Sequence, residues 1–150
     1  MPSSRPMNLN RGMVPGEFGA RDPVDEPLRL LKDGLYEDAL KEASGLLNRD
    51  LPKLSKSSLH FIVGASNKAL GNSDKSIFHL LEGYAILAEE NQPAMIGAFH
   101  DEISRILYDE GKFNAALFFI NMAIENFTML GNPEMKDSCE KLRESILWNL

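Results

Sequence analysis

Three short phrases that begin with glycine recur along this chain and constrain its fold more than any other feature. They start at Gly34, Gly71 and Gly111, at nearly equal intervals, and read GLYEDAL, GNSDKSI and GKFNAAL. Each phrase follows one apolar-periodic stretch and begins another. Glycine ends a helix at little cost because it readily adopts the left-handed backbone conformation. Each phrase therefore predicts a helix–turn–helix.

The residues around these phrases support the same interpretation. A small residue lies five positions after each glycine, at Ala39, Ser76 and Ala116, where it would let two helices approach closely. The segment Asn132-Pro133-Glu134 has the residue types of a helix start, with a capping side chain, a proline in the first turn and an acidic group near the positive helix end. Apolar residues recur at helical spacing in between. We expect an all-α fold with helices at 25–33, 36–48, 55–70, 74–90, 93–110, 114–130 and 133–149.

Composition and charge exclude several classes of protein. A chain of 150 residues is expected to form one domain with its own core. The single cysteine, Cys139, excludes an internal disulfide and a cysteine-type metal cluster. A net charge of −6 argues against a nucleic-acid-binding surface. Apolar runs fall well short of the ~20 residues of a membrane helix, so we expect a cytoplasmic protein with no membrane span.

Residues 1–24 differ in composition from the rest of the chain. Four prolines and three glycines interrupt this segment, and no helical or strand period survives there. It predicts a flexible N-terminal tail ahead of a repeat domain at 25–150, without a secretory signal. A docking segment is the alternative, carried by the apolar residues Met7, Leu9, Met13, Val14 and Phe18.

The ionisable residues form no recognisable catalytic or metal-binding pattern. His60, His79 and His100 lack the i, i+4 spacing of a helical metal site, and we expect structural or surface roles for them. Cys139 lies on an apolar stripe and is expected to be a small core residue. The adjacent pair Asp101–Glu102 is interpreted as part of a solvated helix face. We expect no catalytic residue, cofactor or metal, and therefore a protein that is not an enzyme.

The repeated pattern resembles the tetratricopeptide repeat family, although its period is longer than the roughly 34 residues of that family. The positions that match the family signature best belong to the third repeat: Ile103, Ser104, Leu107, Ala116, Ile120 and Ala123. The second repeat matches at Val63, Gly64, Ser76, Leu80 and Gly83. The resemblance covers most of the segment 25–150. It implies a right-handed superhelix of about three helical hairpins, closed by a C-terminal capping helix.

In that family the first helix of each hairpin lines a groove that holds a peptide. The resemblance therefore implies a non-enzymatic adaptor or scaffold that binds a peptide or helical segment of another protein. Carried over residue by residue, it places these side chains in the groove: Phe61, Ala65, Lys68, Asp101, Arg105 and Tyr108.

Two alternatives remain open at the level of the sequence. The phrase at 64–71 is similar in kind to those of small helical-repeat chaperones of type III secretion, which keep a secreted partner soluble. A subunit or regulator of an enzyme complex is the alternative of a different class. The last helix is expected to cover the final repeat, but Trp148 and Leu150 would also suit self-association through that helix.

Overall fold

The computed structural model describes residues 22–150, which contain seven α-helices and no β-strand. Each helix begins and ends within two residues of its expected bounds, which confirms the all-α interpretation. The predicted tail and its alternative docking segment lie almost entirely outside the described residues. The helices are α1 (Asp25–Lys32), α2 (Tyr36–Leu47), α3 (Lys53–Ala69), α4 (Ser73–Glu89), α5 (Pro93–Asp109), α6 (Phe113–Met129) and α7 (Pro133–Leu147).

From α3 onwards the turns between helices recur at equal intervals. A residue with positive φ follows each of α3, α4, α5 and α6: Gly71 at 85°, Asn91 at 54°, Gly111 at 77° and Gly131 at 66°. The amide of the next residue donates to a carbonyl five positions back, as Lys112 N does to Leu107 O at 2.9 Å. This hydrogen bond is typical of a helix C-terminus at which the residue after the helix adopts the left-handed conformation. Four equal turns therefore connect five helices in an antiparallel succession.

Asn91 is the one non-glycine residue of positive φ within residues 22–150. A side chain in this conformation costs about 1–2 kcal/mol for ordinary residues, although asparagine tolerates it better than most. We expect Asn91→Gly to leave stability unchanged or to raise it by up to about 1 kcal/mol, and Gly111→Ala to lower it by about 1–2 kcal/mol. Urea denaturation followed by circular dichroism measures both changes. A stabilising Gly111→Ala would contradict the equivalence of the two turns.

The hairpins close through small residues at their crossing points. Ser76 Oγ donates to the Gly64 carbonyl at 2.6 Å, and Ser104 Oγ donates to the Ala116 carbonyl at 2.7 Å. The two pairs occupy equivalent positions, because 64 and 104 are separated by the same interval as 76 and 116. The small residues expected at these approaches, including Ala39 in the first hairpin, are fully buried. A close contact between a small side chain and the backbone of the paired helix therefore recurs in the second and third hairpins.

The apolar core consists of two parts along the array. One cluster joins α1, α2 and α3, and a larger cluster extends from α4 to α7. Within α7, Cys139, Leu142 and Ile146 are buried, whereas Asp137, Lys141 and Glu144 are exposed. The exposed side of α7 is therefore mainly polar, as expected for a capping helix, although Leu147 at its end and the following Trp148 are exposed. Across residues 22–150, no helix combines the length and the apolar character that a membrane span requires.

The array of seven sequentially packed helices is that of a helical-repeat fold. Each helix contacts the next along the chain, and α3 also contacts α5, which in turn contacts α7. Stability in such arrays comes mainly from interfaces between neighbouring units. The same succession brings alternate helices side by side, so that α3, α5 and α7 form one face.

Candidate functional site

The predicted groove residues lie on α3 and α5, two alternate helices that are neighbours in space. Lys68 Nζ on α3 donates to Glu102 Oε1 on α5 at 2.9 Å. Arg105 Nη2 on α5 donates to Ser138 Oγ on α7 at 3.1 Å. These contacts join three alternate helices through polar side chains. We call the face formed by α3, α5 and α7 the alternate-helix surface.

The aromatic residues predicted for the groove are partly used in packing. Phe61 is half-buried, and its ring meets Phe99 edge-on at a centroid distance of 5.1 Å. Tyr108 is also half-buried and packs against Phe113 with centroids 5.7 Å apart. Both rings thus support the core on one side and retain an accessible part on the other.

Both cations among the six predicted residues are paired within the protein. Lys68 forms its ion pair with Glu102, and both side chains are half-buried. Arg105 Nε lies 3.0 Å from Asp101 Oδ1. Ala65, half-buried one turn before Lys68, adds an apolar position between these polar groups. The predicted groove residues therefore contribute paired charges rather than a cluster of free cations.

Asp101 corrects one sequence-based expectation. The sequence predicts that it lies on a solvated face, yet only 6% of it is exposed. Its Oδ1 accepts from Arg105 Nε at 3.0 Å and from Cys139 Sγ at 3.5 Å. Burial raises the pKa of the Asp101 carboxyl, and the Arg105 charge opposes this rise. Its neighbour Glu102 is half-buried and paired with Lys68, so neither member of the pair is fully solvated. The error arises because the contact of Asp101 with Cys139 on α7 depends on helix packing, which the local sequence does not show.

Cys139 is the small core residue that the sequence predicts. Its side chain is fully buried. Burial and the neighbouring Asp101 raise the pKa of its thiol to about 12. The thiolate is the reactive form of cysteine, so the group is held in its protonated, unreactive state as a hydrogen-bond donor between α7 and α5.

The three histidines lie within the helix interfaces. His60 on α3 and His79 on α4 bring their Nδ1 atoms to 3.0 Å. His100 on α5 is 4% exposed, and neither of its ring nitrogens has a hydrogen-bond partner among residues 22–150. Tyr84 and Phe119 pack against it with centroids at 4.9 and 5.8 Å. In the described part of the chain, no group of three His, Cys, Asp or Glu side chains is arranged to hold a metal ion.

Exposed phenylalanines on α4 and α6 are a feature that sequence reasoning missed. Phe78 is 59% exposed and Phe118 is 61% exposed. They are separated by the same interval as Gly71 and Gly111 and therefore occupy equivalent repeat positions. This repeated spacing is the sequence signal that could have revealed them. Beside Phe118, a shallow cleft of about 470 Å³ is lined by Phe118, Asn121, Met122, Ile124, Glu125 and Arg143.

Comparison with known proteins found no relative of this chain. No family model, no curated protein and no solved structure matches the chain. The class that the structure itself defines is a helical-repeat array.

Proposed function

We propose that this chain is a protein–protein interaction module similar to the tetratricopeptide family, without enzymatic activity. It binds a peptide segment of another protein along the alternate-helix surface. The observation that carries this proposal is the direct linkage of α3, α5 and α7, by Lys68 to Glu102 and by Arg105 to Ser138. A continuous face shared by successive repeats suits an extended ligand that crosses them.

The chemistry of the surface favours a particular kind of ligand. Its half-buried aromatic residues, Phe61 and Tyr108, suit apolar side chains. The two cations among its predicted residues are already paired, with Lys68 bound to Glu102 and Arg105 to Asp101. Capture of an acidic terminus would require these pairs to break. We therefore favour an extended segment with apolar anchors over a ligand recognised by its negative charge.

The test adds bulk to the surface without removing an internal contact. Ala65→Arg places a long side chain on the half-buried face of α3, and Ala85→Arg makes the same change at an exposed position of α4. We expect Ala65→Arg to weaken partner binding by at least about tenfold, or about 1.4 kcal/mol, while Ala85→Arg binds as the unmodified protein does. Capture from lysate of the source cells identifies the ligand, and titration with the purified ligand measures the affinity.

Two controls make the outcome interpretable. Circular dichroism and urea denaturation of both arginine variants separate loss of binding from loss of folding. A chain that lacks residues 1–24 separates the repeat domain from the N-terminal segment. If folded Ala65→Arg retains full affinity, or if the partner is lost with residues 1–24 alone, recognition does not lie on the alternate-helix surface.

A further inference from the structure

The contact between His60 and His79 has the geometry of a direct nitrogen-to-nitrogen hydrogen bond. Their Nδ1 atoms are 3.0 Å apart, and the ring centroids are 5.2 Å apart with planes inclined by 30°. The centroid separation exceeds the Nδ1 separation by about one ring diameter, so the two nitrogens point at each other along the line between the rings. One Nδ1 must therefore carry the hydrogen while the other presents its lone pair.

The next hairpin shows that this hydrogen bond is not needed for packing. His100 and Phe119 occupy the positions that follow His60 and His79 by one full repeat. Their rings pack with centroids 5.8 Å apart and planes inclined by 52°, and a phenylalanine offers no nitrogen. An aromatic pair alone therefore suffices at this place in the repeat. The second imidazole is an addition specific to the α3–α4 hairpin.

The number of protons on the pair determines whether the contact can persist. With both rings neutral, one N–H donates to one lone pair. With one extra proton, a charged ring donates to a neutral ring, and the bond is retained with charge assistance. With two extra protons, both Nδ1 atoms carry hydrogen, no lone pair remains between them, and two like charges face each other at 3.0 Å.

The surroundings of the pair do not remove this conflict. Burial is the largest cause that lowers the pKa of both imidazoles. Each histidine is also affected by Glu82 on α4, which raises its pKa, and His60 by Lys56 on α3, which lowers it. Within residues 22–150 no third metal-ligating side chain joins the pair, and the facing nitrogens leave no space for an ion between them.

We propose that His60 and His79 form a proton-dependent latch between α3 and α4, which is closed while one Nδ1 donates its hydrogen to the lone pair of the other and opens when both imidazoles are protonated. His60, one of the two residues of the latch, directly precedes Phe61 in the sequence. Opening of the latch at acidic pH therefore loosens the hairpin beside the alternate-helix surface.

Two substitutions of His79 separate hydrogen bonding from packing. His79→Asn keeps an amide that can donate or accept near the Nδ1 position but does not titrate. His79→Phe copies the pair His100–Phe119 of the next hairpin. Nitrogen-15 NMR titration of the three imidazoles follows each histidine by itself, so the protonation of His100 does not confuse the result.

We expect His60 and His79 of the unmodified protein to titrate in two coupled steps more than about one pH unit apart. Below the second step, amide exchange in α3 and α4 should accelerate by about tenfold or more beyond its intrinsic pH dependence. In His79→Phe, His60 should show a single step that lies between these two. In His79→Asn, the acceleration should disappear.

The opposite results would overturn the latch. Independent single-step titrations of His60 and His79, each unaffected by replacement of the other residue, would show that the nitrogens do not share a proton. The same acid-induced acceleration of amide exchange in His79→Asn would show that α3 and α4 separate for another reason. Circular dichroism at pH 7 confirms that each variant is folded before either comparison is made.

Discussion

Gly83→Ala will lower the free energy of unfolding by about 1–3 kcal/mol, although alanine favours a helix over glycine by about 1 kcal/mol. The reason is a close approach between α4 and α5. A Cβ at position 83 would lie 2.5 Å from Cε1 and 2.8 Å from Cζ of Phe99, and 3.0 Å from the carbonyl oxygen of Ser57. Phe99 is buried in the core, where its ring has little room to move.

Gly45→Ala is the matched control for this substitution. Gly45 is also a helical glycine, but it is exposed on α2, and no atom of the described residues lies within 4 Å of an added Cβ. We expect it to stabilise the protein by about 0.5–1 kcal/mol. Urea denaturation of both variants measures the difference.

A second-site change tests the cause of the Gly83 effect. Phe99→Leu removes the ring atoms that the new Cβ would meet, so Gly83→Ala should cost less in a Phe99→Leu background than in the unmodified protein. If Gly83→Ala changed the free energy of unfolding no more unfavourably than Gly45→Ala does, this result would contradict the close packing of α4 on α5.

His100→Leu will raise the free energy of unfolding at pH 7 by about 1–3 kcal/mol, because a buried polar group without a hydrogen-bond partner is costly. In the part of the chain that the structure describes, both ring nitrogens of His100 lack a hydrogen-bond partner. The rings of Tyr84 and Phe119 pack against it. Leucine is close in size to histidine and carries no polar atom. Thermal and urea denaturation at pH 7 measure the gain.

The pH dependence of stability provides a second readout for His100. Burial lowers its pKa in the folded state below the ordinary value of 6.5, so the unfolded chain binds more protons below that pH. The stability associated with neutral His100 is therefore present above the ordinary pKa and is lost progressively as the pH falls towards the folded-state pKa. We expect the unmodified protein to lose stability between pH 7 and 5, and His100→Leu to lose less.

The loss that remains in His100→Leu should come from His60 and His79, whose pKa values burial also lowers. Combining His100→Leu with His79→Asn should flatten the profile further. A His100→Leu variant that is less stable at pH 7 and keeps the full acid dependence would mean that the imidazole nitrogens of His100 are satisfied in solution.

Local signals in the chain were enough to predict the helices and their order. Gly71 and Gly111 mark turns because left-handed backbone suits glycine, and the Asn132-Pro133 start is realised, with the Asn132 side chain accepting from the Met135 amide at 3.2 Å. These signals act within one or two turns of chain. Their spacing was therefore sufficient to place all seven helices of the described residues within two positions.

Which side chains meet became clear only from the packing of the helices. The facing nitrogens of His60 and His79 lie on different helices. Buried Asp101 accepts a hydrogen bond from Cys139, which lies 38 positions later in the chain. The left-handed turn at Asn91 also became clear only from the structure, where it lies at the same interval as the glycine turns. Such contacts depend on how helices pack, and packing is set by the sum of many distant apolar contacts that no local pattern encodes.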